Sequence, residues 1–203
     1  MSSQQRSIII RDMRVEGSSF GSRLDGDRCD NYTLGEKQIL WDLLRFIRGG
    51  YSFQNVNRLA LCGHGNAGRI TIGGRIINQE DVNNFSVIKD FFKEIVFLSC
   101  NVAAEFSDPP GDVFSGDGFL FCQSIARITK TPVVASSAKQ RYEPRDPLAG
   151  GRMNPGLWEG NCMRFYPDGK VIHLKVNYLH FPDACCVPIA PYGDRYVAPF
   201  WLI

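Results

Sequence analysis

Four short apolar runs recur through the first two-thirds of the chain, at residues 7–11, 56–62, 95–100 and 132–136, and segments of helical spacing lie among them. Each run has the length of a strand and is too short for a buried helix. Near-continuous apolar strands are buried on both faces, and their alternation with helices is the pattern of a mainly parallel sheet covered by helices on both sides. Ile39, Leu40, Leu43, Leu44 and Ile47 carry helical spacing that ends at Gly49-Gly50. Thr33-Leu34-Gly35-Glu36 has the spacing of a capping box ahead of that helix. Residues 79–92 and 118–130 also read as helical. Ile70-Thr71-Ile72-Gly73-Gly74-Arg75-Ile76-Ile77 predicts a β-hairpin, and residues 163–176 predict another about Pro167-Asp168-Gly169.

The remaining segments are polar or broken by proline and glycine. Residues 16–31, 108–117 and 141–160 read as loops, and the aromatic tail from residue 181 is interrupted by Pro182, Pro188, Pro191 and Pro199. With 203 residues the expectation is one domain, its core at about residues 7–140 and the loop, hairpin and tail at 141–203. Hydrophobic content of 44% and charged content of 22% are those of a globular chain, and a net charge of +2 gives no electrostatic footprint for nucleic acid. No apolar run approaches the roughly 20 residues of a membrane span.

Seven cysteines (Cys29, Cys62, Cys100, Cys122, Cys162, Cys185 and Cys186) and no secretory signal at the N-terminus predict free thiols in a reducing compartment. The expected location is the cytoplasm, or a host or rival cell reached by injection without an N-terminal signal peptide. Cys122 is expected on the buried face of its helix.

Two of the apolar runs stop at reactive side chains. Leu59-Ala60-Leu61-Cys62-Gly63-His64-Gly65 ends one, and Ile95-Val96-Phe97-Leu98-Ser99-Cys100 ends the other. Ligands of open α/β sheets bind at the carboxyl ends of strands. A thiol there becomes a nucleophile when a neighbour promotes the thiolate, and His64 is the neighbour if the two strands are adjacent. Backbone N–H groups at Gly65 and Cys100 would then face a developing oxyanion. His173 lies in an alternating strand and reads as structural, and His180 lies near a proline. Cys62, His64 and Cys100 also make a set of metal-ligand types. The second close pair that structural zinc sites carry is missing, so no metal or other cofactor is expected.

At His64-Gly65 and Ser99-Cys100 the sequence resembles the caspase-like cysteine peptidases of clan CD. The resemblance is nearer to bacterial branches, through Gly63-His64-Gly65-Asn66-Ala67-Gly68, Ser99-Cys100-Asn101-Val102-Ala103 and Val133-Val134-Ala135-Ser136-Ser137. These segments resemble a caspase-like domain of large bacterial surface proteins and, more distantly, toxin autoprocessing cysteine peptidase domains. The match covers about residues 56–140. It implies a three-layer α/β sandwich, a mainly parallel central sheet flanked by helices with extra hairpins. It also implies a cysteine endopeptidase in which Cys100 attacks the scissile carbonyl and His64 protonates the leaving amine.

By the same resemblance the substrate pocket draws on residues 16–31, 101–117 and 136–142, which include Asp25, Asp27, Asp30, Ser136 and Ser137. Asp25, Asp27, Asp30, Asp112 and Asp117 would favour Arg or Lys before the cut, whereas Arg23 or Arg28 would favour Asp. Expected partners are a protein or peptide substrate and a small-molecule or protein activator, with no nucleic acid and no membrane span. Two other readings remain open: a catalytically silent caspase-like binding module, and a Cys-His acyltransferase or amidohydrolase.

Overall fold

The computed structural model of the chain describes residues 6–15, 23–24, 27–51, 56–105, 116–139, 157–158, 161–174 and 198–199. Among the described residues the strands are β1 Arg6–Asp12, β2 Arg23–Leu24, β3 Asp27–Leu34, β4 Val56–Cys62, β5 His64–Asn66, β6 Arg69–Ile72, β7 Arg75–Ile77, β8 Glu94–Leu98, β9 Val133–Ser136, β10 Leu157–Trp158, β11 Cys162–Phe165, β12 Val171–Leu174 and β13 Ala198–Pro199. Helices α1 Leu40–Gly50 and α2 Gly118–Thr129 and a 3₁₀ helix, Gln79–Ile88, lie between them.

The main sheet has eight strands in the order β12-β11-β9-β8-β4-β1-β3-β2. Its five central strands, β9 to β3, run parallel, and β2, β11 and β12 add antiparallel edges. The protein is therefore α/β with a mostly parallel sheet, as the alternation of elements predicts. The chain leaves β1 for β3 on one side and returns to β4 on the other. The order of strands thus reverses between β1 and β4, and crevices at such switch points are where open α/β sheets bind ligands.

Four of these strands, β1, β4, β8 and β9, are apolar on both faces over most of their length, whereas β3 is largely polar. Ile8, Ile10, Leu59, Leu61, Ile95, Phe97 and Val133 share one face by register and pack with Leu44 and Ile47 of α1, Phe85 of the 3₁₀ helix and Phe121 of α2. Phe97 and Phe121 sit 5.9 Å apart, and Trp41 meets Phe85 edge-on at 4.8 Å. Burying each such aromatic removes enough apolar area to contribute about 1.5–3 kcal/mol. Ile9, Ala60, Val96 and Val134 on the opposite face are equally sealed from solvent. Among the described residues, however, α1, α2 and the 3₁₀ helix all lie on the first face. The expected second helical layer is not carried by the described residues.

Three local expectations are corrected. Thr33 and Glu36 do not cap α1, because Thr33 and Leu34 stay in β3 opposite Arg11 and Asp12, and Leu34 accepts the Met13 N–H at 2.9 Å. The helix begins only at Leu40, and Ile39 at its cap makes no side-chain bond. A capping box forms instead at Asn78 and Asp81, where Asn78 accepts from the Glu80 N–H and Asp81 accepts from the Asn78 N–H. The helix that follows is 3₁₀ because its buried side chains, Val82, Phe85 and Ile88, recur every three residues. At three residues per turn these fall on one face.

The polar stretch 16–31, read as loop, contains the hairpin of β2 and β3, with Arg23 opposite Arg28. The two predicted hairpins form: β6 and β7 turn at Gly73-Gly74, both at positive φ, and β11 pairs with β12. Residues 141–156, 175–197 and 106–115 lie outside the described residues, and with them the expected loops, most of the tail, His180, Cys185 and Cys186. Among the described residues no helix is long and apolar enough to cross a membrane.

Candidate active site

The site is built from the carboxyl ends of β4 and β8, which are adjacent parallel strands with Cys62 opposite Leu98. Beyond Cys62 the chain does not continue into a loop. Gly63 turns it into β5, the first strand of a small antiparallel sheet with β6 and β7, and His64 stands opposite Thr71. A side chain at 63 would run into the Thr71 carbonyl. His64 is exposed at the start of β5, on the side of the molecule where β1, β4 and β8 end.

Beyond Leu98 the chain enters a turn through Ser99, Cys100 and Asn101. Asn101 takes a left-handed backbone, φ 53°, which Asn adopts more readily than most residues, and its N–H donates to the Ala138 carbonyl at 2.8 Å. The Ala103 N–H donates to the Ser136 carbonyl at 3.0 Å. The Cys100 turn is thus tied to the end of β9. Cys100 is half-buried, whereas Cys62, Cys122 and Cys162 are buried. Burial pushes the Cys122 and Cys162 thiols well above the ordinary value, which keeps them from serving as nucleophiles.

The two turns touch. The Gly63 N–H donates to Ser99 Oγ at 3.2 Å, and a side chain on Gly65 would meet the Cys100 carbonyl, Ser99 Cβ at 2.9 Å and Val102 at 2.9 Å. The backbone on both sides of His64 therefore packs against the residues that carry Cys100. No side chain larger than hydrogen fits at that seam.

At the end of β1, one strand further along the same edge, Asp12 is buried and grips Arg14. Arg14 Nε and Nη2 donate to the two carboxylate oxygens at 2.8 and 2.7 Å. Burial pushes the Asp12 carboxyl up, but the hydrogen bonds and charge of Arg14 and the Gly73 N–H outweigh it and hold the carboxyl below its usual range. Sequence reading gave this pair no role. Its only signal was a carboxylate at the end of an apolar strand with an arginine two residues on.

The expected pocket residues divide. Ser136 and Ser137 arrive beside the Cys100 turn, but the Ser136 side chain is fully buried and its Oγ accepts the Ala138 N–H at 3.1 Å. It supports the turn and does not line an open surface. Ser137 is half-buried and its N–H donates to the Asn161 carbonyl. Asp30 stands opposite Ile8, four residues before the end of β3, and pairs with Arg6 at 2.9 Å, so it is not brought to His64 and Cys100. Asp117 caps α2 by accepting the Leu120 N–H. Asp27 opens β3, and Asp25 and Asp112 lie outside the described residues.

His173 is exposed on β12 opposite Met163. A groove of about 440 Å³ runs along β3 and α1, lined by Tyr32, Leu43 and Phe46 among others. None of its lining residues belongs to the turns of His64 or Cys100, so its size does not mark the chemistry. Among the described residues no three His, Cys, Asp or Glu side chains converge as a metal site. No protein-family model matches this chain, and no curated protein matches it.

Proposed function

We propose that the protein is a cysteine endopeptidase of caspase-like fold, with Cys100 as nucleophile and His64 as the proton-transfer group. The observation that carries this reading is the seam between the two turns: Gly63 and Gly65, either side of His64, rest on Ser99 and Cys100. The reversal of strand order beside β4 supports it as well, because the same edge of the sheet is where a ligand crevice forms.

In this reading the Cys100 thiol loses its proton to His64. The thiolate sulfur bonds to the scissile carbonyl carbon, and the backbone N–H groups of Gly65 and Cys100 serve the developing oxyanion. Collapse of the tetrahedral intermediate breaks the C–N bond, and the imidazolium gives its proton to the departing amine. Water then adds to the thioester, the C–S bond breaks, and a carboxylic acid product and free thiol return. Proton transfer of this kind contributes about 10²–10⁴ in rate. Gly63 and Gly65 leave no side chain between the two turns, so the backbone that carries His64 closes onto the backbone that carries Cys100.

The test is covalent labelling with a thiol-reactive peptide probe. Cys100 is expected to be the labelled residue, Cys100→Ala to give no label, and His64→Ala to label at least about tenfold more slowly. Equal labelling of Cys100→Ala contradicts the assignment.

A further inference from the structure

We propose that Ser99 is the positioning residue of the Cys100–His64 pair, a role that rests on the dyad reading above. Ser99 is completely buried at the end of β8 and is joined directly to Cys100. Its Oγ accepts the Gly63 N–H at 3.2 Å, and its Cβ lies 2.9 Å from the point a Cβ on Gly65 would occupy. One small side chain therefore touches the residues on both sides of His64 and is a single peptide bond from the nucleophile.

Ser99 Oγ is the side-chain acceptor in this seam, beside the backbone approach of the Cys100 carbonyl to Gly65. A bulkier residue at 99 would push Gly65 away. Alanine would leave the buried Gly63 N–H without its acceptor, and a buried unmade hydrogen bond is relieved by movement of the backbone that holds it. That backbone carries His64. Because a displacement of about 1 Å between reacting groups costs about 10²-fold in rate, a hydroxyl that makes no contact with substrate can still govern the chemistry.

The experiment follows alkylation of Cys100 by iodoacetamide against pH, read at that residue by mass spectrometry on the full chain. In the unaltered protein the midpoint is expected below the ordinary thiol value of about 8.5, and His64→Ala is expected to raise it. Ser99→Ala is expected to move the midpoint at least half of the way to that of His64→Ala. Thr131→Val supplies the comparison. It removes another buried hydroxyl, one that donates to the Phe92 carbonyl at 3.0 Å near the opposite end of β8, and is expected to lower the melting temperature with the midpoint unmoved.

Should Ser99→Ala fail to fold, Ser99→Cys gives the same reading, since its sulfur is a weak acceptor of similar volume. A midpoint that His64→Ala raises and neither Ser99 variant moves overturns the role of Ser99 alone. A midpoint that His64→Ala leaves in place overturns the dyad and this role with it.

Discussion

The two ends of the β4–β8 pair are held by different means. At the end where both strands begin, Arg58 and Glu94 stand opposite each other and form an ion pair at 2.9 Å, and Arg164 of β11 adds a second bond to Glu94 at 2.7 Å. The side chains of Arg58 and Glu94 are only 11% and 10% exposed, so this charge is part of the interior. At the end where both strands finish, the strands are closed by one serine hydroxyl and the bare backbone of two glycines. At the first end titratable side chains hold the fold together. At the second, neutral groups flanking His64 and Cys100 do so. Within the β4–β8 pair, charge thus closes one end and small neutral groups close the other, where His64 and Cys100 stand.

Substitutions can break this contrast in a ranked series. Glu94→Ala leaves two guanidinium groups beside a removed partner in a largely buried setting, and is expected to cost about 3–5 kcal/mol. Urea unfolding measures that loss, and cleavage per folded molecule is expected to stay within about twofold, since the proposed dyad lies at the other end. Gly65→Ala is expected to do the reverse. The added methyl meets the Cys100 carbonyl and Ser99, which costs about 1–3 kcal/mol by overpacking. Its loss of cleavage rate, about 10²-fold, should exceed what the lost stability explains.

Asp12→Asn sharpens the comparison through pH. The Asp12 carboxyl is held below its usual value of 3.8 in the folded protein. Its contribution is therefore present above that value and is lost as pH falls through the lower folded-state value. At neutral pH the variant is expected to be about 1–2 kcal/mol less stable, as for a lost charge-assisted hydrogen bond. In acid titration of stability the gap between the two proteins should close below about pH 4. The smallest effect is expected at Asp117→Ala, where loss of the bond to the Leu120 N–H costs about 1 kcal/mol, measured as a lower melting temperature.

Much of the fold was legible because the strands are buried on both faces. Val56–Cys62 forms over the very residues whose apolar run predicts it, and the Gly73-Gly74 hairpin follows from turn chemistry alone. The start of α1 was not legible. The capping signal of Thr33 and Glu36 competes with ladder pairing to β1, and pairing of distant segments leaves no mark in a local window. The same limit applies to the polar residues of β3: Asp30 reads as a loop carboxylate until its pairing with Arg6 is seen.

At the site, His64 and Cys100 announced themselves by standing where apolar runs stop. Ser99 did not, because a small residue before a cysteine carries no sign of which backbone N–H its oxygen will accept. The burial of Ser136 was hidden for a similar reason, since its depth depends on the Cys100 turn folding back onto β9.

The central claim is that this pair of strand ends cleaves peptide bonds through Cys100. The most direct measurement incubates the full chain and its Cys100→Ala variant with a peptide library and counts new N-termini by mass spectrometry. New termini are expected with the unaltered protein, at a rate about 10⁴-fold or more above that of the variant. Cleavage by Cys100→Ala at the same rate and the same bonds would contradict it.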